Sequence, residues 1–131
     1  MSLPRILIVD DEPSVVETLS AYLTCRGYDV DTFSSAEDVL SCPERQLRNY
    51  DIVLTDFEMP GLNGVELAKR LLDFHPSIQV IVMSGKVELV ATGATEIGSI
   101  LRKPFHMRDL DELVQLDREQ VSNPVGIRQA G

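Results

Sequence analysis

Five polar side chains stand at or just beyond the ends of short apolar runs in this sequence, where they could do chemistry together. They are three aspartates, a serine and a lysine: Asp10, Asp11, Asp56, Ser84 and Lys103. If the runs are neighbouring strands of one parallel sheet, these groups meet at its carboxyl edge, where open α/β sheets bind ligands. Three carboxylates within about 5 Å would repel by roughly 3 kcal/mol per pair at an effective dielectric constant near 20. A cation is therefore expected among them.

This set of groups suits the uptake of a phosphoryl group. Mg²⁺ typically takes one or two carboxylates and keeps waters and phosphate oxygens as its other ligands. Lys103 would add a positive charge and Ser84 a hydroxyl donor, and both suit a phosphoryl group better than a metal that binds alone. An ionised carboxylate needs no general base to act as nucleophile, so the expected product is an acyl phosphate.

Each of these residues also has a common structural role. Acids such as Asp10 and Asp11 often begin a helix, and an Asp before a turn, such as Asp56, is usually a turn former or cap. Ser84 could cap a strand end, and Lys103 could belong to a plain turn. Taken singly, the structural roles are commoner. The joint placement of complementary charges at four strand ends favours function.

The elements that would carry these groups alternate between strand and helix patterns. Apolar, β-branched runs predict five strands: Ile6–Val9, Tyr28–Phe33, Ile52–Asp56, Ile78–Met83 and Ile100–Leu101. Helical spacing and caps predict helices after Pro13, after Ser35, after Asn63 and around Leu110–Val114. Such alternation implies a parallel sheet with right-handed crossovers and helices on both faces.

Several segments give weaker patterns. The stretch 44–50 is polar and fits either a helix end or a loop. The stretch 87–98 predicts only a weak fourth helix, because threonines and glycines interrupt it. In the helix after Asn63, four apolar residues should form the buried face: Val65, Ala68, Leu71 and Leu72. We expect one domain over residues 1–120 and a polar, frayed tail over 121–131.

Length and charge exclude several classes of function. The chain has 131 residues and a net charge of −9, which disfavours nucleic acid or an anionic membrane as a direct partner. Cys25 and Cys42 have no metal-binding spacing and are typical of thiols in a reducing compartment. The first apolar run is too short for a signal peptide or a membrane span, so we expect a cytoplasmic protein.

From Arg5 to about Leu116 the sequence resembles the receiver domain of two-component response regulators. Four motifs carry the resemblance: Val9-Asp10-Asp11-Glu12-Pro13, Asp56-Phe57-Glu58-Met59-Pro60-Gly61-Leu62-Asn63-Gly64, Met83-Ser84-Gly85 and Lys103-Pro104-Phe105. The resemblance implies a flavodoxin-like (βα)5 fold, a three-layer α/β sandwich whose parallel sheet has the order 2-1-3-4-5. It also implies a role in signal transduction.

The resemblance implies a role for each site residue. A partner sensor histidine kinase or phosphotransfer protein would phosphorylate Asp56. Mg²⁺ would be held by Asp11, Asp56 and the backbone carbonyl of Glu58, with Asp10 acting mainly through a metal-bound water. Ser84 and Lys103 would contact the phosphoryl oxygens, and the Lys103–Pro104 peptide bond would be cis.

Two features of the sequence depart from the usual pattern of the family that it resembles. In that family Ser84 and the residue at position 100 move on activation and reshape the face of the fourth helix, fifth strand and last helix. Here position 100 is Ile100 rather than an aromatic residue, so an aromatic swing towards Ser84 cannot occur. The interval from Ser84 to Lys103 is also shorter than usual.

Two further residues suggest a modulating role. Glu58 and Lys86 lie two residues after Asp56 and Ser84, at positions that flank the mouth of the site in the family. Their opposite charges could pair there and slow hydrolysis of the acyl phosphate. An exposed pair is worth at most about 1 kcal/mol, so the effect would be several-fold.

Other functions stay open at this level. An unphosphorylated protein-interaction module is one. An aspartyl-phosphate phosphatase of the haloacid dehalogenase type is another, although its D-x-D pair is only approximated by Glu58 and the chain has no length for a cap. We expect no enzyme beyond self-phosphorylation and slow dephosphorylation. The output would be a downstream protein target or a missing output domain, and a homodimer stays open.

Overall fold

Five parallel strands form one sheet in the computed structural model, which describes residues 3–85 and 94–122. The strands are β1 (Arg5–Val9), β2 (Asp29–Phe33), β3 (Ile52–Asp56), β4 (Gln79–Ser84) and β5 (Ser99–Arg102). Their order across the sheet is β2-β1-β3-β4-β5, and every neighbouring pair is parallel. The predicted strand order is therefore confirmed.

Helices cover both faces of this sheet. They are α1 (Pro13–Cys25), α2 (Ala36–Leu40), α3 (Glu44–Leu47), α4 (Gly64–Phe74), α5 (Ala94–Ile97) and α6 (Met107–Ser122). Buried residues of α1 and α6 pack on one face, and those of α2, α3 and α4 pack on the other, where Ile97 of α5 joins them. This arrangement confirms the flavodoxin-like three-layer fold. Among the described residues, no helix combines the length and apolar content that crossing a bilayer would need.

The continuous aliphatic runs of the sequence become strands that are buried on both faces. In β1, Ile6 and Ile8 face the layer of α1 and α6, while Leu7 and Val9 face the layer of α2 and α4. All four are fully buried. Because side chains alternate along a strand, only an unbroken apolar run can fill both layers.

The caps that the sequence predicts are present. Ser35 Oγ accepts a hydrogen bond from the Asp38 N–H at 3.0 Å and begins α2. Asn63 and Glu66 form a reciprocal capping box at α4, with both hydrogen bonds at 2.9 Å. These caps fix where each helix starts relative to the preceding strand, and so they fix the loops between them.

Some elements differ from the prediction. The sequence of residues 44–50 fits either a helix end or a loop. The structure forms the short helix α3 in this stretch, where Leu47 and Tyr50 are both buried in the core. The predicted buried face of α4 omits Leu67, which is fully buried, and includes Leu72, which is only half-buried. The prediction is wrong at these two positions. Strand β5 has four residues, because it extends one residue beyond the predicted Ile100–Leu101 at each end.

Parts of the prediction lie outside the described residues. The weak fourth helix over 87–98 is described only from Ala94, as α5, and Lys86 is not described. Helix α6 continues to Ser122, and residues 123–131 of the predicted tail are not described.

A polar cluster ties the amino ends of the strands together, at the edge of the sheet away from the site. Arg5 pairs with Asp29 at 3.1 Å and with Asp31 at 3.3 Å, and its guanidinium lies 5.3 Å from the centroid of the Tyr50 ring. The Tyr50 hydroxyl donates a hydrogen bond to Asp31. These contacts join β1, β2 and the segment that leads into β3, so they help to set the register of the strands that deliver the site.

The Tyr50 hydroxyl gives a testable contribution to stability. Burial, the hydrogen bond to Asp31 and the charge of Asp31 raise its pKa from 10.0 to about 12. A pKa raised by folding favours the protonated form, so the stabilisation is complete below pH 10 and is lost as the pH rises from 10 towards 12. Tyr50→Phe should lower the free energy of unfolding at pH 8 by about 1–2 kcal/mol, because Asp31 loses one of its donors and keeps the contact with Arg5.

The measurement is urea unfolding from pH 8 to pH 11.5, with Tyr22→Phe as the matched control. In the wild type, stability should fall over the upper part of this range, and in Tyr50→Phe this fall should be shallower. A Tyr50→Phe profile parallel to that of the wild type would show that the hydroxyl is not coupled to folding.

Candidate functional site

The carboxyl edge of the sheet brings the predicted acids together. Asp10 follows β1 directly and Asp56 is the last residue of β3, and one carboxylate oxygen from each lies within 4.8 Å of an oxygen of Asp11. Asp10 and Asp56 are buried, whereas Asp11 is exposed. The cluster is thus closed towards the core and open towards solvent.

The serine and the lysine reach the same edge of the sheet from the ends of β4 and β5. Lys103 Nζ donates a hydrogen bond to Asp56 Oδ1 at 2.9 Å, in an ion pair whose carboxylate is only 9% exposed. Ser84 is buried at the end of β4, and its carbonyl accepts a hydrogen bond from the Lys103 N–H at 2.9 Å. The Lys103–Pro104 peptide bond is cis, as the resemblance implied.

Backbone contacts hold Asp56 in place. The N–H of the next residue, Phe57, donates to the Met83 carbonyl at 2.9 Å, and the Phe57 carbonyl accepts from the Gly64 N–H at 3.0 Å. A Cβ on Gly64 would lie 2.2 Å from the Asp56 carbonyl oxygen, which no side chain allows. The first residue of α4 must therefore be glycine for the helix to pack this closely against the acceptor.

Asp10 carries an unbalanced charge in the buried part of the cluster. Its Oδ1 accepts a hydrogen bond from the Glu12 N–H at 3.0 Å, but Oδ2 is buried and has no hydrogen-bond partner within the described part of the chain. Burial raises the pKa of Asp10 from 3.8 to about 6, and the charges of Asp56 and Asp11 act in the same direction. The folded protein therefore needs a proton or another cation at this position.

Asp56 and Lys103 compensate each other only in part. Burial raises the pKa of Asp56 above its usual value, although the hydrogen bond and charge of Lys103 oppose the rise. Burial works against the charge of Lys103, yet the hydrogen bond and negative charge of Asp56 raise its pKa. Among the described residues, Lys103 is thus the one lysine seen in contact with the three-carboxylate cluster, which keeps an excess of negative charge.

These features fit a divalent cation. Three carboxylates within 4.8 Å offer oxygen ligands of the kind that Mg²⁺ prefers, and Asp10 Oδ2 is a buried oxygen without a donor. A bound cation would remove both the repulsion and the unsatisfied oxygen.

The remaining predicted residues have separate places in the structure. Glu58 is exposed in the loop that follows Asp56. Ile100 lies in β5, opposite Val82 of β4. It is half-buried and packs against the core layer of α2 and α4. The predicted pairing of Glu58 with Lys86 involves a residue outside the described part, so it stays a prediction, as do the roles of Ser84 and Ile100 in switching.

Sequence reasoning missed two residues that shape the site. Gly64 could have been noticed, because a glycine in the first turn of a helix is unfavourable unless a close contact requires it. Glu37 in α2 accepts a hydrogen bond from the Leu62 N–H, in the loop after Asp56. No local pattern of the sequence connects α2 with that loop, since the two are separated by a strand and a helix.

Comparison with known proteins gives a consistent family. A family model described as the response regulator receiver domain matches residues 6–115. The DNA-binding transcriptional regulator NtrC of Klebsiella pneumoniae is 35% identical over 119 residues, which cover 88% of this chain and 24% of NtrC. The response regulator receiver protein CpdR of Brucella abortus is 32% identical over 110 residues, which cover 81% of this chain and 89% of CpdR.

Solved structures show the same likeness. The response regulator protein TrrA of Thermotoga maritima, solved in complex with Mg²⁺–BeF, has a TM-score of 0.78 and 30% identity, over 88% of this chain and 99% of TrrA. The chain spans about a quarter of the length of the NtrC relatives that it matches.

The charge of Asp10 leads to a prediction for the metal-free protein. Because folding raises its pKa from 3.8 to about 6, stability should fall as the pH rises from about 4 to about 6. Asp10→Asn keeps the side-chain shape and an acceptor for the Glu12 N–H but removes the charge. We expect it to raise the free energy of unfolding at pH 7.5 by about 1–3 kcal/mol in a chelating buffer.

Urea unfolding between pH 4 and pH 8 checks this, with Asp11→Asn as the matched control. The exposed Asp11 should give a smaller gain, since water already solvates its charge. An Asp10→Asn protein that is no more stable than the wild type in the absence of metal would contradict the unbalanced-charge interpretation.

Proposed function

The chain belongs to the response regulator receiver domain family, and from that premise we propose that it accepts a phosphoryl group on Asp56 from a histidine kinase or a phosphotransfer protein. The observation that carries the proposal is the 2.9 Å contact between Asp56 Oδ1 and Lys103 Nζ, beside the carboxylates of Asp10 and Asp11. A nucleophilic carboxylate thus has both a fixed cation and a cluster of oxygen ligands next to it.

The proposed step uses Asp56 as the nucleophile. A carboxylate oxygen forms a bond to phosphorus, and the bond between phosphorus and the donor's histidine nitrogen breaks, with the electron pair staying on that nitrogen. Lys103 would then hold a phosphoryl oxygen instead of the free carboxylate, and the hydroxyl of Ser84 would donate to another. The product is an acyl phosphate on Asp56.

We propose that the oxygen cluster holds Mg²⁺. Its ligands would be Asp10, Asp11, Asp56 and the backbone carbonyl of Glu58, with Asp10 contributing through a water. When bound, the ion neutralises the charge that the phosphoryl group adds to the carboxylates. Asp10 Oδ2, which is buried without a donor among the described residues, supports this assignment.

In this proposal the protein is a switch and not an enzyme with a turnover substrate. The new charge on Asp56 would shift a two-state surface in which Ser84 and Ile100 take part, and this surface would act on a downstream protein or on an output domain. The side chain of Ile100 is half-buried in the core layer of α2 and α4, which supports a role in repacking rather than in direct contact with a phosphoryl group. The expected location is the cytoplasm, where histidine kinases present their phosphoryl donor.

Acetyl phosphate tests the proposal without knowledge of the kinase. Incubation with acetyl phosphate and Mg²⁺ should add one phosphoryl group to the wild-type protein, as seen by intact-mass analysis. Asp56→Asn should gain none, because the amide is not a nucleophile. The exposed Asp73→Asn in α4 is the matched control and should be labelled like the wild type.

A chelator should abolish or strongly slow the labelling, since the excess negative charge of the three carboxylates, which Lys103 offsets only in part, then repels the incoming phosphoryl group. Labelling of Asp56→Asn, or none of the wild type, would refute the proposal. Steady turnover of small phosphate esters by the wild type would favour an aspartyl-phosphate phosphatase instead.

A further inference from the structure

The loop between β3 and α4, residues 57–63, carries the backbone carbonyl of Glu58 and is anchored at both ends. At its start Phe57 is held by the Met83 carbonyl, and at its end Asn63 is held by the capping box with Glu66. Met59 is buried in the core layer of α2 and α4. The stretch from Pro60 to Leu62 lies between these anchors.

A carboxylate from a different helix holds that stretch. Glu37, in the first turn of α2, accepts a hydrogen bond at its Oε2 from the Leu62 N–H at 3.0 Å. This hydrogen bond lowers the pKa of Glu37, so the carboxylate is ionised at neutral pH and acts as a charged acceptor.

The loop is shaped around this carboxylate. Gly61 has φ +78°, and a Cβ at this position would lie 2.4 Å from Glu37 Oε2. Glycine permits the left-handed backbone conformation at this position, and the flexible end of the Glu37 side chain lies directly against it. The close approach to Gly61 and the hydrogen bond from Leu62 both place the Glu37 carboxylate against this stretch of the loop.

We propose that Glu37 is a positioning residue for the cation site: its carboxylate holds the loop of residues 57–63 in the conformation from which the Glu58 carbonyl, proposed above as a ligand, would reach a cation held by Asp10, Asp11 and Asp56. The inference rests on the proposed function, since it concerns the same Mg²⁺ site. Without the acceptor, the Leu62 N–H has to turn to water, and the backbone from Pro60 to Leu62 gains conformations. Mg²⁺ then has to order the loop when it binds, which weakens its binding.

The test compares Glu37→Ala with the conservative Glu37→Gln, whose amide oxygen can still accept from the Leu62 N–H. Asp38→Ala is the matched control. Asp38 is an exposed acid of the same helical turn, and only its backbone groups take part in the hydrogen bonds seen among the described residues. Mg²⁺ affinity is measured by calorimetry on the unphosphorylated proteins, and hydrogen exchange of the Leu62 amide is followed without metal.

We expect Glu37→Ala to bind Mg²⁺ about three- to tenfold more weakly and to exchange the Leu62 amide faster, consistent with the net loss of one exposed hydrogen bond. Glu37→Gln and Asp38→Ala should stay within about twofold of the wild type, since one keeps the acceptor and the other removes only a charge. Urea unfolding confirms that all variants are folded.

The outcomes separate this inference from the function on which it depends. Wild-type affinity in Glu37→Ala would overturn the inference alone. Equal weakening in Glu37→Ala and Glu37→Gln would also overturn it, because the effect would then come from charge and not from the hydrogen bond. A wild-type protein that binds no Mg²⁺ would overturn both the proposed function and the inference.

Discussion

The repulsion among three carboxylates at one edge of the sheet is the constraint on which the rest of the site depends. Asp10, Asp11 and Asp56 come within 4.8 Å of one another, and Lys103 is the cation that the structure shows in contact with this cluster. Coulomb repulsion among three carboxylates at this distance would drive the side chains apart if the backbone allowed it. The backbone does not allow it, because Asp10 directly follows β1 and Asp56 ends β3, and these two strands are neighbours at the centre of the sheet. The folded protein therefore holds these three carboxylates close together, in an arrangement that a bound cation would stabilise.

The scaffold that holds the three carboxylates together is built around an extensively buried apolar core. The central strands are buried on both faces, and their apolar side chains fill two separate core layers. At the opposite edge of the sheet, the Arg5 guanidinium lies between the carboxylates of Asp29 and Asp31, and the Tyr50 hydroxyl donates a hydrogen bond to Asp31. The two edges thus differ in kind. At the amino edge both carboxylates are paired with the Arg5 guanidinium, whereas at the carboxyl edge Asp56 is the one member of the three-carboxylate cluster that forms an ion pair among the described residues.

The sequence carried enough information to predict the sheet and the acid cluster, because both follow from local patterns. An unbroken run such as Ile6–Val9 reports a strand buried on both faces, and parallel strands place the residues that follow them at one edge. The short helix α3 could not be predicted, since its four residues are polar apart from Leu47 and the helix forms because Leu47 and Tyr50 reach the core. The contact of Glu37 with Leu62 also has no local pattern, because it depends on how α2 and the loop after β3 pack in three dimensions. Local patterns thus predict which groups reach the edge, and tertiary packing decides what holds them there.

The link between Glu37 and the loop has a consequence that follows from thermodynamic reciprocity. If the contact strengthens Mg²⁺ binding by a given factor, then bound Mg²⁺ must strengthen the contact by the same factor. Helix α2 and the loop after Asp56 would then be held together more firmly in the loaded state than in the metal-free state. Position 100 is Ile100 and not an aromatic residue, and coupling through α2 would be a second route by which the state of the site could reach the surface. This route needs no large displacement, because ordering of a loop that was partly free changes its interaction free energy as effectively as a movement does.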